Sequence, residues 1–121
     1  MQLSHETLAE CVHCLRRDHK DRLGQERRTL PRFRVWAPLR IDPGPNGEIA
    51  PFTGWVRDLS RGGIGVMHTR ALPIGTQFVV TLPLLGPEPL RLLCEVVYCG
   101  GGAPDIFSIG ARFVSPFPPQ A

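Results

Sequence analysis

The sequence predicts a mainly β protein: a small antiparallel barrel of six short strands, preceded by one α-helix. Three observations carry that reading. Thirteen Gly and thirteen Pro in 121 residues break the chain into short pieces, which favours strands over a helical bundle. Between the breaks lie six short strand-like runs, and in the last three apolar residues recur every second position, the period of a strand with one buried face. Ahead of them, a single segment repeats its apolar residues at helical spacing. Six short strands with frequent turns suit a closed antiparallel barrel. At 121 residues the chain is one domain, long enough to bury a core without staples.

The helix is expected over residues 4–23. Ser4 stands where a hydroxyl can accept from a free N–H of the first turn. Leu3 and Leu8 fall at the two positions of a hydrophobic staple. Leu8, Val12, Leu15, His19 and Leu23 continue one face, with Cys11 beside them, and Gly24 follows as a stop. Residues 25–32 are polar and Arg-rich. Pro31 forbids a regular helix there, so this segment is an arm leading into the barrel.

The strands are expected at Phe33–Ile41, Thr53–Leu59, Gly63–Thr69, Gln77–Leu82, Leu90–Tyr98 and Ile106–Val114. The run from Pro43 to Gly47 separates the first two, and Gly86 to Pro89 separates the fourth and fifth. The fourth strand alternates Phe78, Val80 and Leu82. The fifth places Leu92, Cys94, Val96 and Tyr98 on one face, and the sixth Phe107, Ile109, Ala111 and Phe113. Glycines 100–102 with Pro104 and Asp105 close the last hairpin. The division is thus a helical extension at 1–25, a barrel at 26–116 and a Pro-rich tail at 117–121.

Charge is unevenly placed. The formal net charge is +3, yet residues 16–40 hold nine basic and three acidic side chains, so that stretch is +6 and the rest −3. Arg outnumbers Lys 13 to 1; a compositional bias explains the ratio but not the clustering. A local basic segment points to a phosphate-bearing partner. No run approaches the roughly 18 apolar residues of a membrane span. The start is polar, unlike a secretory signal. The expectation is a cytoplasmic protein whose Cys11, Cys14, Cys94 and Cys99 are reduced thiols.

Two motifs about thirty residues apart carry the chemistry. The first is Arg28 to Arg32 (RTLPR), with Arg27 just before it. An Arg fork meets phosphate oxygens in pairs and fits O6 and N7 of guanine. Alone this spacing is weak, because it recurs at Arg57 and Arg61. The second is Asp58 to Gly63 (DLSRGG). Asp58 and Ser60 lie two apart, so on a strand they point the same way. A carboxylate there accepts from N1–H and N2–H of guanine, and the hydroxyl donates to a phosphate or accepts from the base. Gly62 and Gly63 permit positive φ and leave room for a ligand. A plain strand end with a Ser-Gly turn explains the second motif equally well when it is taken alone.

Together, in this order and with a β pattern around them, the motifs resemble the PilZ domain, a six-stranded barrel that binds the bacterial second messenger cyclic di-GMP. The match lies in "ERRTLPRFRV", "VRDLSRGGIGV", "LPIGTQFVVTLPL" and "SIGARFV", across about residues 26–114. The resemblance implies a PilZ-type six-stranded antiparallel β-barrel in which Arg28 and Arg32 hold phosphate and guanine edges from the arm. It implies that Asp58 and Ser60 meet one guanine on the barrel wall, with Gly62 and Gly63 allowing close approach. Arg27 adds charge or stacks on a base; in this family that position is associated with ligand stoichiometry. The function implied is a switch, not catalysis: the ligand neutralises a mobile arm, folds it across the barrel, moves the helix and signals to a partner protein. No cofactor beyond the ligand is called for. Many family members carry a C-terminal helix that this sequence lacks within the residues given, and the N-terminal helix is left to pack on the barrel or on a partner.

Other readings are weaker. Cys11, Cys14, His13 and His19 invite zinc, but His13 points away from both thiols on a helix, and no second Cys pair has suitable spacing. His68 is expected at the surface near a strand end. Ser60 has no His near it in sequence, so no nucleophile–base set forms and no catalytic residue is assigned. Single-stranded nucleic acid would want aromatics among the basic residues; only Phe33 and Trp36 lie there, with Phe33 a candidate for the core. A PilZ-like adaptor working without nucleotide is the remaining alternative.

Overall fold

A computed structural model describes residues 1–16 and 32–118. The elements run α1 (His5–Arg16), β1 (Phe33–Pro43), β2 (Phe52–Leu59), β3 (Gly63–His68), β4 (Gln77–Leu82), β5 (Leu90–Ala103) and β6 (Ile106–Pro116). The strands close into an antiparallel barrel in the order β1-β2-β3-β6-β5-β4. Closure is made where Ile41, Asp42 and Pro43 of β1 pair with Val80, Val79 and Phe78 of β4. The inward residues form one core around Phe78, Phe113, Ile41, Leu59, Leu82, Leu92 and Ile109, all fully buried. Alternation builds this core: Phe78, Val80 and Leu82 all face in, as expected.

The helix begins as its sequence dictates. The Thr7 N–H donates to Ser4 Oγ at 3.0 Å, which satisfies one of the free donors of the first turn. Leu3 and Leu8 are both buried beside it, as a staple requires. Leu8, Cys11, Val12 and Leu15 bury one stripe, and the helix packs against β1. Burying each Leu or Val contributes roughly 1.5–3 kcal/mol. Arg16 fixes the far end, its Nε and Nη2 donating to the Arg34 carbonyl at 2.9 and 2.6 Å. The packing of residues 4–16 on the chain's own barrel thereby settles one question that the sequence left open. The rest of the expected helix, His19 and Leu23 included, lies outside the described residues.

Three expectations need correction. Glycines 100–102 do not close the last hairpin; β5 runs on to Ala103, with Gly100 opposite Ser108 and Gly101 opposite Phe107. Pro104 and Asp105 alone make the turn, Pro104 presetting its own φ and Asp105 accepting φ 62°. Tyr98 does not share the inward face of Leu92, Cys94 and Val96. The β5–β6 register shifts between Val96 and Tyr98, and such a bulge sends the next side chain to the opposite face. Tyr98 is therefore 57% exposed. Phe33 is not core: it is exposed and lines a groove with His5, Leu8, Val12 and Arg16 of the helix.

Candidate ligand-binding site

The outer wall of the barrel carries a cleft of about 410 Å³ over β2, β3, β5 and β6. Its lining includes Arg32, Arg57, Asp58, Ser60, Gly62 and Gly63. Five of the seven residues singled out in the sequence thus come together. Arg27 and Arg28 lie outside the described residues.

Local backbone chemistry places each group. Leu59 is fully buried, so its neighbours Asp58 and Ser60 face outward on the same side. The register of β2 against β3 shifts between Val56 and Asp58. This bulge breaks the usual alternation, so Arg57 and Asp58 both line the cleft. Arg57 Nε donates to Asp58 Oδ2 at 2.9 Å, and Arg57 Nη1 donates to Ser108 Oγ at 2.6 Å. The pair is partly shielded, with Arg57 31% and Asp58 14% exposed. Arg57 is the residue that motif reasoning passed over. It entered only as half of a chance Arg spacing; the bulge that turns it into the cleft shows in the sequence only as Val56 and Leu59, both buried, falling three apart instead of two.

The turn from Ser60 to Gly63 is tightly bonded. The Ser60 N–H donates to the Gly63 carbonyl at 2.9 Å, and the Gly63 N–H donates to Ser60 Oγ at 3.2 Å. Ser60 therefore holds the turn in shape as well as facing the cleft. Neither Gly62 nor Gly63 adopts positive φ, which corrects the expectation. Gly63 is required for another reason: a Cβ there would collide with the Ala111 carbonyl oxygen of β6. Gly62 has open space above it, as a close ligand approach needs. Gly65 was not anticipated. A Cβ there would lie 2.5 Å from Asp58 Oδ1 and 3.1 Å from Arg57 Nη2, so this glycine is the floor on which both side chains rest.

The far wall is apolar. Val97 and Tyr98 are exposed there, both delivered by the bulge in β5. Arg112 completes the rim, its Nη2 lying 3.5 Å from Glu95 Oε1. The cleft thus joins guanidinium groups, one carboxylate, hydroxyls, a glycine floor and an aromatic ring. That set suits a planar, hydrogen-bonding, anionic ligand.

The turn is also tied to the N-terminal segment. The Leu3 N–H donates to the Arg61 carbonyl at 2.8 Å, and Arg61 Nε donates to the Leu3 carbonyl at 2.7 Å. The Phe113 N–H donates to the Gly62 carbonyl at 2.9 Å. The turn therefore touches the helix entry on one side and β6 on the other.

The model of the PilZ domain family matches residues 26–121. The chain belongs to the PilZ domain family. Among solved structures, the barrel is similar to the MrkH–c-di-GMP complex of K. pneumonia, at 21% identity and a TM-score of 0.53. That likeness, which shows the fold, covers 74% of this chain and 44% of the other, so the chain spans less than half of that neighbour. No curated protein matches the chain. The PilZ barrel found here is the six-stranded one that the sequence motifs implied.

The remaining titratable groups do not join the cleft. Burial pushes the Cys11 thiol up to about 12, with Cys14 and Glu10 adding to the effect. Burial also raises the Cys94 thiol well above its ordinary value. All four cysteines are free thiols. His13 is exposed while Cys11 is fully buried, and among the described residues no three His, Cys, Asp or Glu side chains gather as a metal site. His68 stacks on Phe52 with ring centroids 3.8 Å apart, and its pKa is lowered by burial and by nearby Arg70. Among the described residues no helix is long and apolar enough to cross a membrane.

Proposed function

We propose that this chain is a receptor for cyclic di-GMP, a binding module and not an enzyme. The observation that carries the reading is the convergence of Arg32, Asp58, Ser60, Gly62 and Gly63 on one outer-wall cleft in a chain of the PilZ family. The complex of K. pneumonia MrkH with c-di-GMP supports the same ligand class. In this reading Arg28 and Arg32 hold phosphate and guanine edges. Asp58 and Ser60 meet one guanine, Gly62 and Gly63 admit it, and Arg27 adds charge or stacks on a base.

Binding acts as a switch. The two phosphates neutralise the arginines of the arm and draw them onto the cleft, a change driven by a charged ligand. The turn at Arg61 is bonded to Leu3, one residue before the helix cap. Ligand-induced movement of that turn therefore reaches α1 and alters the surface offered to a protein partner. Four free thiols suit a reducing cytoplasm.

Calorimetric titration with cyclic di-GMP, with GTP and cyclic di-AMP as controls, tests the reading. Selective saturable binding is expected. Arg28→Ala and Arg32→Ala should each weaken it by about 1–3 kcal/mol, roughly ten- to a hundredfold. Absence of heat and of competition at high micromolar ligand would remove cyclic di-GMP and leave an adaptor that works through protein contacts.

A further inference from the structure

We propose that Arg57 is a specificity-determining residue: its guanidinium and the Asp58 carboxylate together read the Watson–Crick edge of a guanine. The inference rests on the cyclic di-GMP reading and adds a residue outside both motifs. Arg57 is held at two points, by Asp58 Oδ2 through Nε and by Ser108 Oγ through Nη1. Among the described residues, its Nη2 and the Asp58 Oδ1 have no hydrogen-bond partner. These two atoms lie above the same point, since a Cβ on Gly65 would come within 3.1 Å of the first and 2.5 Å of the second. A donor and an acceptor with no other partner among the described residues thus stand near each other over the Gly65 backbone, on two side chains that line the cleft.

Guanine presents the complementary order along one edge: O6 accepts, and N1–H and N2–H donate. Arg57 Nη2 would donate to O6 while Asp58 Oδ1 accepts from N1–H and N2–H. Adenine held the same way by its phosphates presents an amino donor to the guanidinium and a bare nitrogen to the carboxylate. Both contacts then fail, and leaving such groups unpaired in a cleft is what discriminates strongly between bases. Ser108 acts one step back as a positioning residue, because it fixes the angle of the guanidinium from β6.

The test measures cyclic di-GMP and cyclic di-AMP affinities by competition on the full chain, with melting curves to check folding. Arg57→Met keeps the aliphatic stem and removes the donors. It should weaken cyclic di-GMP at least tenfold and change cyclic di-AMP less than threefold. Arg57→Lys should fall between parent and Met. Ser108→Ala should weaken cyclic di-GMP about threefold in the parent and have almost no effect in the Arg57→Met background. Should Arg57→Met fail to fold, Arg57→Lys and Ser108→Ala carry the same comparison. Parent-like cyclic di-GMP binding by Arg57→Met, or equal losses for both nucleotides, overturns the role of Arg57 while the receptor reading stands. A parent protein that binds no cyclic di-GMP overturns both.

Discussion

Leu3 and Arg61 bond to each other twice, the Leu3 N–H to the Arg61 carbonyl and Arg61 Nε to the Leu3 carbonyl. One partner is the residue before the helix cap. The other sits in the turn between Ser60 and Gly63 that borders the cleft. A reciprocal pair of this kind fixes both distance and angle, so the helix entry and the turn move as one unit.

Arg61→Ala removes the side-chain half of that pair and leaves the backbone half. The expected loss is about 1 kcal/mol of stability, or a melting midpoint lower by about 3–6 °C. Amides of α1 should also exchange faster, because the start of the helix loses a tether. An unchanged exchange rate in α1 would show that the turn and the helix are not coupled.

Gly63 and Gly65 separate a fold requirement from a site requirement. Gly63→Ala drives a methyl group into the Ala111 carbonyl oxygen on the neighbouring strand, where backbone cannot yield cheaply. It should lower stability by about 1–3 kcal/mol. Gly65→Ala meets side-chain atoms of Asp58 and Arg57 instead, which can swing aside. It should melt close to the parent while losing most of its cyclic di-GMP affinity. Paired melting and calorimetry on the two variants check this, and a Gly65→Ala protein that binds like the parent would detach the Asp58 geometry from recognition.

Much of this was legible before any coordinates. The last three strands follow from period-two alternation, and Phe78, Val80 and Leu82 show why: a closed barrel has one inside, so its inward positions are apolar. Ser4 and Leu3 announced the helix start because caps are local chemistry. The two motifs drew attention to Arg32, Asp58, Ser60, Gly62 and Gly63, which the barrel brings onto one cleft. What escaped was set by bulges. A one-residue register shift costs no change in composition, yet it turned Tyr98 outward and set Arg57 beside Asp58. The glycines were legible as necessary but not for the right cause: Gly63 and Gly65 are small because of what crosses over them, and crossings are tertiary.

The thiols divide by burial. Cys11 and Cys94 are fully buried, whereas Cys14 and Cys99 are partly exposed. Burial disfavours the thiolate, the reactive form, and holds Cys11 near 12. Iodoacetamide at pH 8 should therefore label Cys14 and Cys99 in the folded protein, with Cys11 and Cys94 reacting only after denaturation. Peptide mapping reads the outcome, and rapid labelling of Cys94 would contradict the closed core at Phe78 and Cys94, which pair across β4 and β5.

His68 gives stability a pH dependence of definite sign. Burial against Phe52 and the charge of Arg70 lower its pKa below the ordinary value of 6.5. The unfolded chain, with the ordinary value, then binds more protons between the two pKa values, so stability rises with pH across that window. The contribution is complete above about pH 6.5 and is lost as pH falls through the folded-state pKa. His68→Phe keeps a ring against Phe52 but cannot titrate. Melting midpoints measured from pH 7.5 down to pH 5 should fall more steeply for the parent than for this variant. Parallel curves would mean that protonated and neutral His68 are equally well accommodated beside Phe52 and Arg70.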